Sequence, residues 1–155
     1  MQVNQIIETL RARVGEEIYV GQWVQMDQAR IDLFAEATED RQWIHTDPDR
    51  ASTDSPYGTT IAHGYLTLSL LPHLTGLSGG WPSELPAPAM AVNYGLDRVR
   101  FPAPVRSSDR VRARVRLLGV EQRKGGLMVE EEVTVEREGA DRPGCVAETL
   151  TLLFL

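Results

Sequence analysis

From Gly64 onward the chain is apolar at almost every position a helix could present: Tyr65, Leu66, Leu68, Leu70, Leu71, Leu74 and Leu77. A helix that is hydrophobic all round must be covered all round. It is too short and too interrupted to span a bilayer, which takes about 20 consecutive apolar residues. The rest of the chain must therefore wrap it. Pro72 removes one backbone donor and predicts a kink. Gly76 and then Gly79-Gly80 predict its end, and Trp81 to Pro88 reads as a Pro-rich loop.

Everything after that loop patterns as strand. Met90, Val92, Tyr94 and Leu96 alternate on even positions, whereas Val99 and Phe101 fall on odd ones. That slip of phase predicts a β-bulge between Gly95 and Arg98. Val111, Ala113, Val115 and Leu117 alternate with Arg110, Arg112, Arg114 and Arg116. After Lys124-Gly125-Gly126, Val129, Glu131, Val133 and Val135 alternate with Glu130, Glu132, Thr134 and Glu136. A hairpin with a three- or five-residue loop sets Val115 opposite Val135 and Arg114 opposite Glu136, so that apolar and charged faces both match. Cys145 to Phe154 predicts the last strand.

Before the apolar helix, Val3, Ile6, Ile7, Leu10 and Val14 recur at helical spacing, with Gly15 as the stop. Glu16 to Met26 reads as a strand. Asp27 is a good N-cap for a second helix whose buried face is Ile31, Phe34, Ala35 and Thr38, ending near Glu39 or Asp40. Asp47-Pro48 and Ser55-Pro56 predict a run of turns. One apolar helix and one curved antiparallel sheet of about four long strands make two layers, an α+β arrangement in which the sheet wraps the helix.

A chain of 155 residues suits a single domain, 1–155. The net charge of −6, without a basic block, gives a nucleic-acid role little electrostatic support, and no nucleic-acid partner is expected. The lone Cys145 excludes an intrachain disulfide framework and a multi-cysteine zinc site. Met1 to Gln5 lacks the pattern of a signal peptide, so the expectation is a cytoplasmic protein that neither enters nor crosses a membrane.

The chemistry concentrates just before the apolar helix. Asp40 and His45 lie five residues apart where the second helix should fray, and Ile61-Ala62-His63-Gly64 opens the apolar segment. Asp40 alone could cap a helix and His45 could be an ordinary loop histidine. Together, an ionised carboxylate and a neutral imidazole can hold one water and move its proton. Gly64 at a helix start offers an amide at the positive end of the dipole. His63 with Asp40 and His45 imitates a two-histidine, one-carboxylate metal set, but the expectation is that no metal is bound. His73, beside Pro72, reads as a core or interface histidine. Arg98, Arg100 and Arg106 read singly as solvated surface, and together as groups that could meet phosphates. The run Arg110 to Arg116 reads as a salt-bridged surface.

Ala37-Thr38-Glu39-Asp40-Arg41-Gln42-Trp43-Ile44-His45-Thr46-Asp47-Pro48, followed by Gly58-Thr59-Thr60-Ile61-Ala62-His63-Gly64-Tyr65-Leu66, resembles the MaoC-like dehydratase family. Val92-Asn93-Tyr94-Gly95 and Val99-Arg100-Phe101-Pro102-Ala103-Pro104-Val105 resemble its nodulation protein N-like branch. The likeness spans roughly Gln22 to Leu118. It implies a hotdog fold and (R)-specific hydration of an enoyl-CoA thioester, or the reverse dehydration of a 3-hydroxyacyl-CoA. It implies that Asp40 and His45 are the catalytic dyad and that the Gly64 amide binds the thioester oxygen. Gln42, Trp43, Ile61, Ala62, His63 and Arg100 are then the expected substrate-binding residues. The hydratases usually carry Asn-Pro where this chain has Gln42-Trp43, which bears on substrate choice. Coenzyme A enters as part of the substrate, and no separate cofactor is implied. A homodimer or higher homo-oligomer is implied, with the acyl tunnel near the subunit interface. Two rival readings are a hotdog thioesterase and a non-catalytic acyl-CoA-binding subunit. Against the first, Gly64 to Leu77 holds no carboxylate; against the second, both Asp40 and His45 are present.

Overall fold

A computed structural model describes residues 2–76 and 80–155. The N-terminal helix α1 (Val3–Arg11) buries Ile6, Ile7 and Leu10, while Val14 lies beyond its end and is exposed. The expected strand from Glu16 to Met26 is two short ones, β1 (Glu17–Val20) and β2 (Val24–Gln25), both paired with the same neighbour. The break falls at Gly21, where a Cβ would collide with the Leu74 carbonyl oxygen. Gly21 still donates to the Ala113 carbonyl at 2.8 Å, and its lack of a Cβ leaves room for the Leu74 carbonyl.

Asp27 caps α2 (Gln28–Thr38), its Oδ1 accepting from the Arg30 amide at 2.8 Å. Ile31 and Ala35 are buried, but Thr38 is exposed and donates its hydroxyl back to the Phe34 carbonyl. The expected turns after Asp40 contain two short helices, α3 (Trp43–Thr46) and α4 (Pro48–Asp54). Pro48 starts α4 instead of breaking it. At the first helical position its missing N–H would have had no partner anyway, and Asp47 caps the Arg50 amide at 3.0 Å.

The apolar helix is α5 (Gly64–Ser69) and α6 (Leu71–Leu74), parted at Leu70, two residues before Pro72. The helix is interrupted there, with Leu70 still bonded to Leu66 on one side and Leu74 on the other. Gly76 follows with φ +66°, whereas Leu77 and Gly79 lie outside the described residues. Leu66, Leu71 and Leu74 are buried, but Tyr65 is 72% exposed. The wrapping is therefore incomplete within this chain. His73 is also exposed and is no core histidine.

The sheet comprises β1 and β2 with β3 (Met90–Arg100), β4 (Arg110–Arg123), β5 (Gly126–Arg137) and β6 (Cys145–Phe154). It is antiparallel in the order β1-β4-β5-β6-β3, with β2 also on β4. The phase slip in β3 is a register shift between Asp97 and Arg100, slightly later than expected, with Arg98 at φ +50°. A second shift lies between Asn93 and Gly95. The β4–β5 hairpin pairs Val115 with Val133 and Arg112 with Glu136, two residues away from the expected register. A tighter turn at Lys124-Gly125, with Gly125 at φ +87°, and a bulge between Leu117 and Gly119 together account for the difference. A shift of two keeps every side chain on its expected face. The charged face is salt-bridged, as expected, but with shifted partners: Arg112 meets Glu136 at 2.7 Å, and Arg114 meets Glu17 at 2.8 Å and Glu136 at 3.5 Å.

The concave face carries the core. Met26, Ile31, Leu66, Leu74, Val111, Val115, Val135 and Cys145 form one buried cluster, and α1 seals the other end against Leu117, Leu127 and Leu153. The thiol of Cys145 is fully buried, and desolvation pushes its pKa up to about 11. No helix among the described residues is long and apolar enough to cross a membrane.

Candidate active site

Two local devices bring the distant motif residues together. Glu39 ends α2 in the left-handed region, at φ +63°, which turns the chain and presents Asp40 beyond the helix. The single turn of α3 then holds His45, its amide bonded to the Gln42 carbonyl at 2.9 Å. Ile61 comes alongside by donating its amide to the Ile44 carbonyl at 3.1 Å, and Ala62 donates to Val105 at 2.8 Å.

The imidazole of His45 is buried, and its Nδ1 lies 2.7 Å from the Ile61 carbonyl oxygen. A carbonyl only accepts, so Nδ1 carries the proton and Nε2 keeps its lone pair. Burial lowers the pKa of His45. The Ile61 hydrogen bond and Asp40 oppose that shift, and His63 adds to it. His63 Nε2 donates in the same way to the Asp40 backbone carbonyl at 2.9 Å and lies 4.0 Å from the Asp40 carboxylate. Its Nδ1 is buried without a partner among the described residues. The two rings stack at 3.8 Å and 25°, and Phe34 packs against His63 at 5.0 Å. One nitrogen of each ring and one Asp40 oxygen lie within 4.8 Å of one another. Asp40 itself is 54% exposed, so the cluster opens toward solvent on its carboxylate side.

His63 directly precedes α5. Its carbonyl accepts from the amides of Leu66 and Thr67, at 3.0 and 3.2 Å. The Gly64 amide, ahead of both, has no helical acceptor. A Cβ on Gly64 would stand 3.0 Å from the Phe101 ring.

Of the nine residues singled out in the sequence, Asp40, His45, Ile61, His63 and Gly64 converge here, with Ala62 buried behind them. Gln42 contributes its backbone carbonyl while its residue is exposed. Trp43 is covered by the Arg50 guanidinium at 4.3 Å from the ring centroid. Arg100 is exposed, its guanidinium donating to the Val99 carbonyl at 2.7 Å. Sequence reasoning missed Gln28 and Thr60. Gln28 Nε2 donates to the His45 carbonyl at 2.7 Å and to Asp32 at 2.8 Å, while its Oε1 accepts from the Thr60 hydroxyl. An amide one residue into a helix carries no pattern that would announce such a clamp.

A cavity of about 710 Å³ runs beside the helices, between them and the sheet. Leu68 and Pro72 line one side, Leu96, Glu131 and Thr149 the other, and Trp81 one end.

A family model described as a MaoC like domain matches residues 9–139. The chain belongs to the MaoC-like dehydratase family. This MaoC-like dehydratase is 44% identical over 151 residues to the 3-hydroxyacyl-thioester dehydratase Z of Mycobacterium tuberculosis, covering 97% of each chain. It is 46% identical to the nodulation protein N of Rhizobium leguminosarum bv. viciae, over 92% of this chain and 87% of that one. Among solved structures, the MaoC-like dehydratase of Rhodospirillum rubrum superposes with a TM-score of 0.72 at 21% identity, covering 91% of this chain and 92% of that one. The unliganded R-hydratase of Pseudomonas aeruginosa gives 0.69 at 23%, covering 91% and 81%. The hotdog fold expected from the motifs is the fold found.

Proposed function

We infer that this MaoC-like dehydratase is a hydro-lyase that adds water across the double bond of an enoyl-CoA thioester with (R) outcome, and removes it from the 3-hydroxyacyl form. The relatives' names agree with that reaction. The observation that carries the assignment of roles is the meeting of Asp40 with His45, whose Nε2 lone pair is left free by the bond from Nδ1 to Ile61. One His45 ring nitrogen and one Asp40 oxygen lie within 4.8 Å of each other, a spacing on the scale of one water bonded to both groups at about 2.8 Å each. As the water oxygen bonds to the β-carbon, the pair takes one of its protons and returns one to the α-carbon. The two titrate as a unit. The negative charge that develops on the thioester oxygen meets the Gly64 amide, a contact of the oxyanion-hole kind. His63 supports the dyad by holding the Asp40 main chain and stacking on His45.

No metal or separate cofactor enters this scheme. Lone pairs lie in the ring planes, and two rings stacked 3.8 Å apart cannot both aim them at one ion about 2 Å away. The acyl chain takes the cavity, whose wall begins at Leu68, one turn and about 6 Å along α5 from Gly64. Ile61 and Ala62 serve the site through their backbone, Ile61 by holding His45 and Ala62 by tying the segment to Val105. Trp43 under Arg50 forms a surface for the coenzyme end of the substrate, with Arg100 as a further phosphate contact.

The test is kcat/KM on crotonyl-CoA, followed by loss of the enoyl absorbance. Asp40→Asn cannot take a proton and presents an N–H where the water needs an acceptor. Its rate should fall by about 10²–10⁴-fold with an unchanged melt. His45→Gln should match it, and the double variant should be little worse than either. Near-wild-type hydration by Asp40→Asn would remove the dyad. Thiol release without loss of the double bond would mark a thioesterase instead.

A further inference from the structure

Glu131 stands in a row of valines. Val129, Val133 and Val135 on β5 are at most 6% exposed, and Glu131 shares their face. It is half-buried and lines the cavity, which is open to solvent along β3. Among the described residues it makes neither a side-chain hydrogen bond nor an ion pair. Thr149 is its partner across the ladder, but the Thr149 hydroxyl reaches the Glu131 main-chain carbonyl at 3.5 Å, not the carboxyl. Arg13 also lines the cavity, yet its guanidinium is committed to the Gly80 carbonyl at 3.0 Å and to Glu16 at 3.4 Å. Burial alone pushes the Glu131 carboxyl up to about 7. At neutral pH a large fraction therefore holds its proton and can both donate and accept.

Glu131 is half-buried, and a carboxyl without a partner on an otherwise apolar strand face costs stability and is seldom retained for packing. A valine at the same position would continue the row. We propose that Glu131 makes the acyl cavity selective for chains that carry an oxygen substituent, a hydroxyl or a ketone, some carbons beyond the reacting pair, over plain alkyl chains. This rests on the reading that the cavity holds the acyl group. The discrimination follows from asymmetry. A plain chain drives water from the carboxyl and leaves it unpaired, whereas an oxygenated chain replaces that water. Leu68, Pro72 and Leu96 supply the apolar contact along the rest of the chain.

The test measures binding, independently of turnover. Saturated hexanoyl-, octanoyl- and decanoyl-CoA and their ω-hydroxy analogues are titrated calorimetrically into wild type, Glu131→Leu and Glu131→Gln. Wild type should bind one of the hydroxylated thioesters at least about tenfold tighter than its plain parent. Glu131→Leu should bind the plain chain better and reverse that ratio, while Glu131→Gln should keep most of it. Thermal melts confirm that both variants are folded. The same ratio in wild type and Glu131→Leu at every length, including no binding of either series, overturns the proposal. Loss of hydratase activity is a separate result: a Glu131-dependent ratio in a protein that hydrates nothing would refute the reaction and leave the selectivity standing.

Discussion

His45 can take a proton from one side only. Its Nδ1–H is held by the Ile61 carbonyl, and burial keeps the ring neutral below its ordinary range. The acid limb of kcat/KM should therefore fall below about pH 6.5, the value of a free imidazole. A limb at or above that value would contradict the burial. Glu131 carries the opposite sign. Its folded pKa, raised to about 7, means the folded protein holds a proton that the unfolded chain has lost. Stability then declines as pH rises from about 4.5 toward 7 and is level above, a change of roughly 3 kcal/mol at most. Replacement by leucine should remove that slope, so denaturant titrations of Glu131→Leu and wild type should diverge with rising pH. Asp40 and His45 were legible as a candidate pair through their place in the MaoC-like motif ahead of His63-Gly64; the bare pair reads equally as a cap and a loop histidine. Glu131 was legible only as a charge on an apolar strand face, because alternation gives the side of a sheet and not the space beyond it.

At the scale of elements, the site depends on a clamp. Gln28 ties the start of α2 to the α3 backbone and to Thr60 in the strand-like entry to α5. Gln28→Leu keeps the volume but leaves the His45 carbonyl and the Thr60 hydroxyl unpaired. Each buried orphan costs about 1–3 kcal/mol, so Tm should fall by several degrees. Because the clamp sets where His45 sits, kcat should fall more than KM rises; a lower Tm with unchanged kcat would confine Gln28 to stability. Helix and strand positions followed from periodicity, and the α5–α6 break from Pro72. Two features did not. The hairpin register needed the bulge at Leu118, and a one-residue insertion inside alternating valines and arginines leaves no mark until the turn length is known. Pro48 was read as a breaker because a proline looks the same at the first position of a helix as in a turn. The deciding partner was the Asp47 side chain on the Arg50 amide.

The whole molecule leaves one side unfinished. β3 is an end of the sheet, and Met90, Val92, Tyr94 and Leu96 on it are between 41% and 67% exposed. Tyr65 and Phe101, edge to face at 6.2 Å, continue that apolar surface to the start of α5. An open edge with such a surface invites a partner strand, and a second copy is the proposed one. Sedimentation should give a dimer or larger, and Val92→Lys with Leu96→Lys should shift it toward monomer. A monomer at every concentration in wild type would sink the oligomer. The opposite extreme of accessibility is Cys145, fully buried where β6 meets β5, with few thiolates to react. A thiol reagent can reach it only when the sheet parts from its helices. The rate of its modification is thus a clock for rare openings of the core. Ligands that fill the cavity beside the helices should slow that clock in proportion to their occupancy, so a single cysteine reports binding without any chromophore in the ligand.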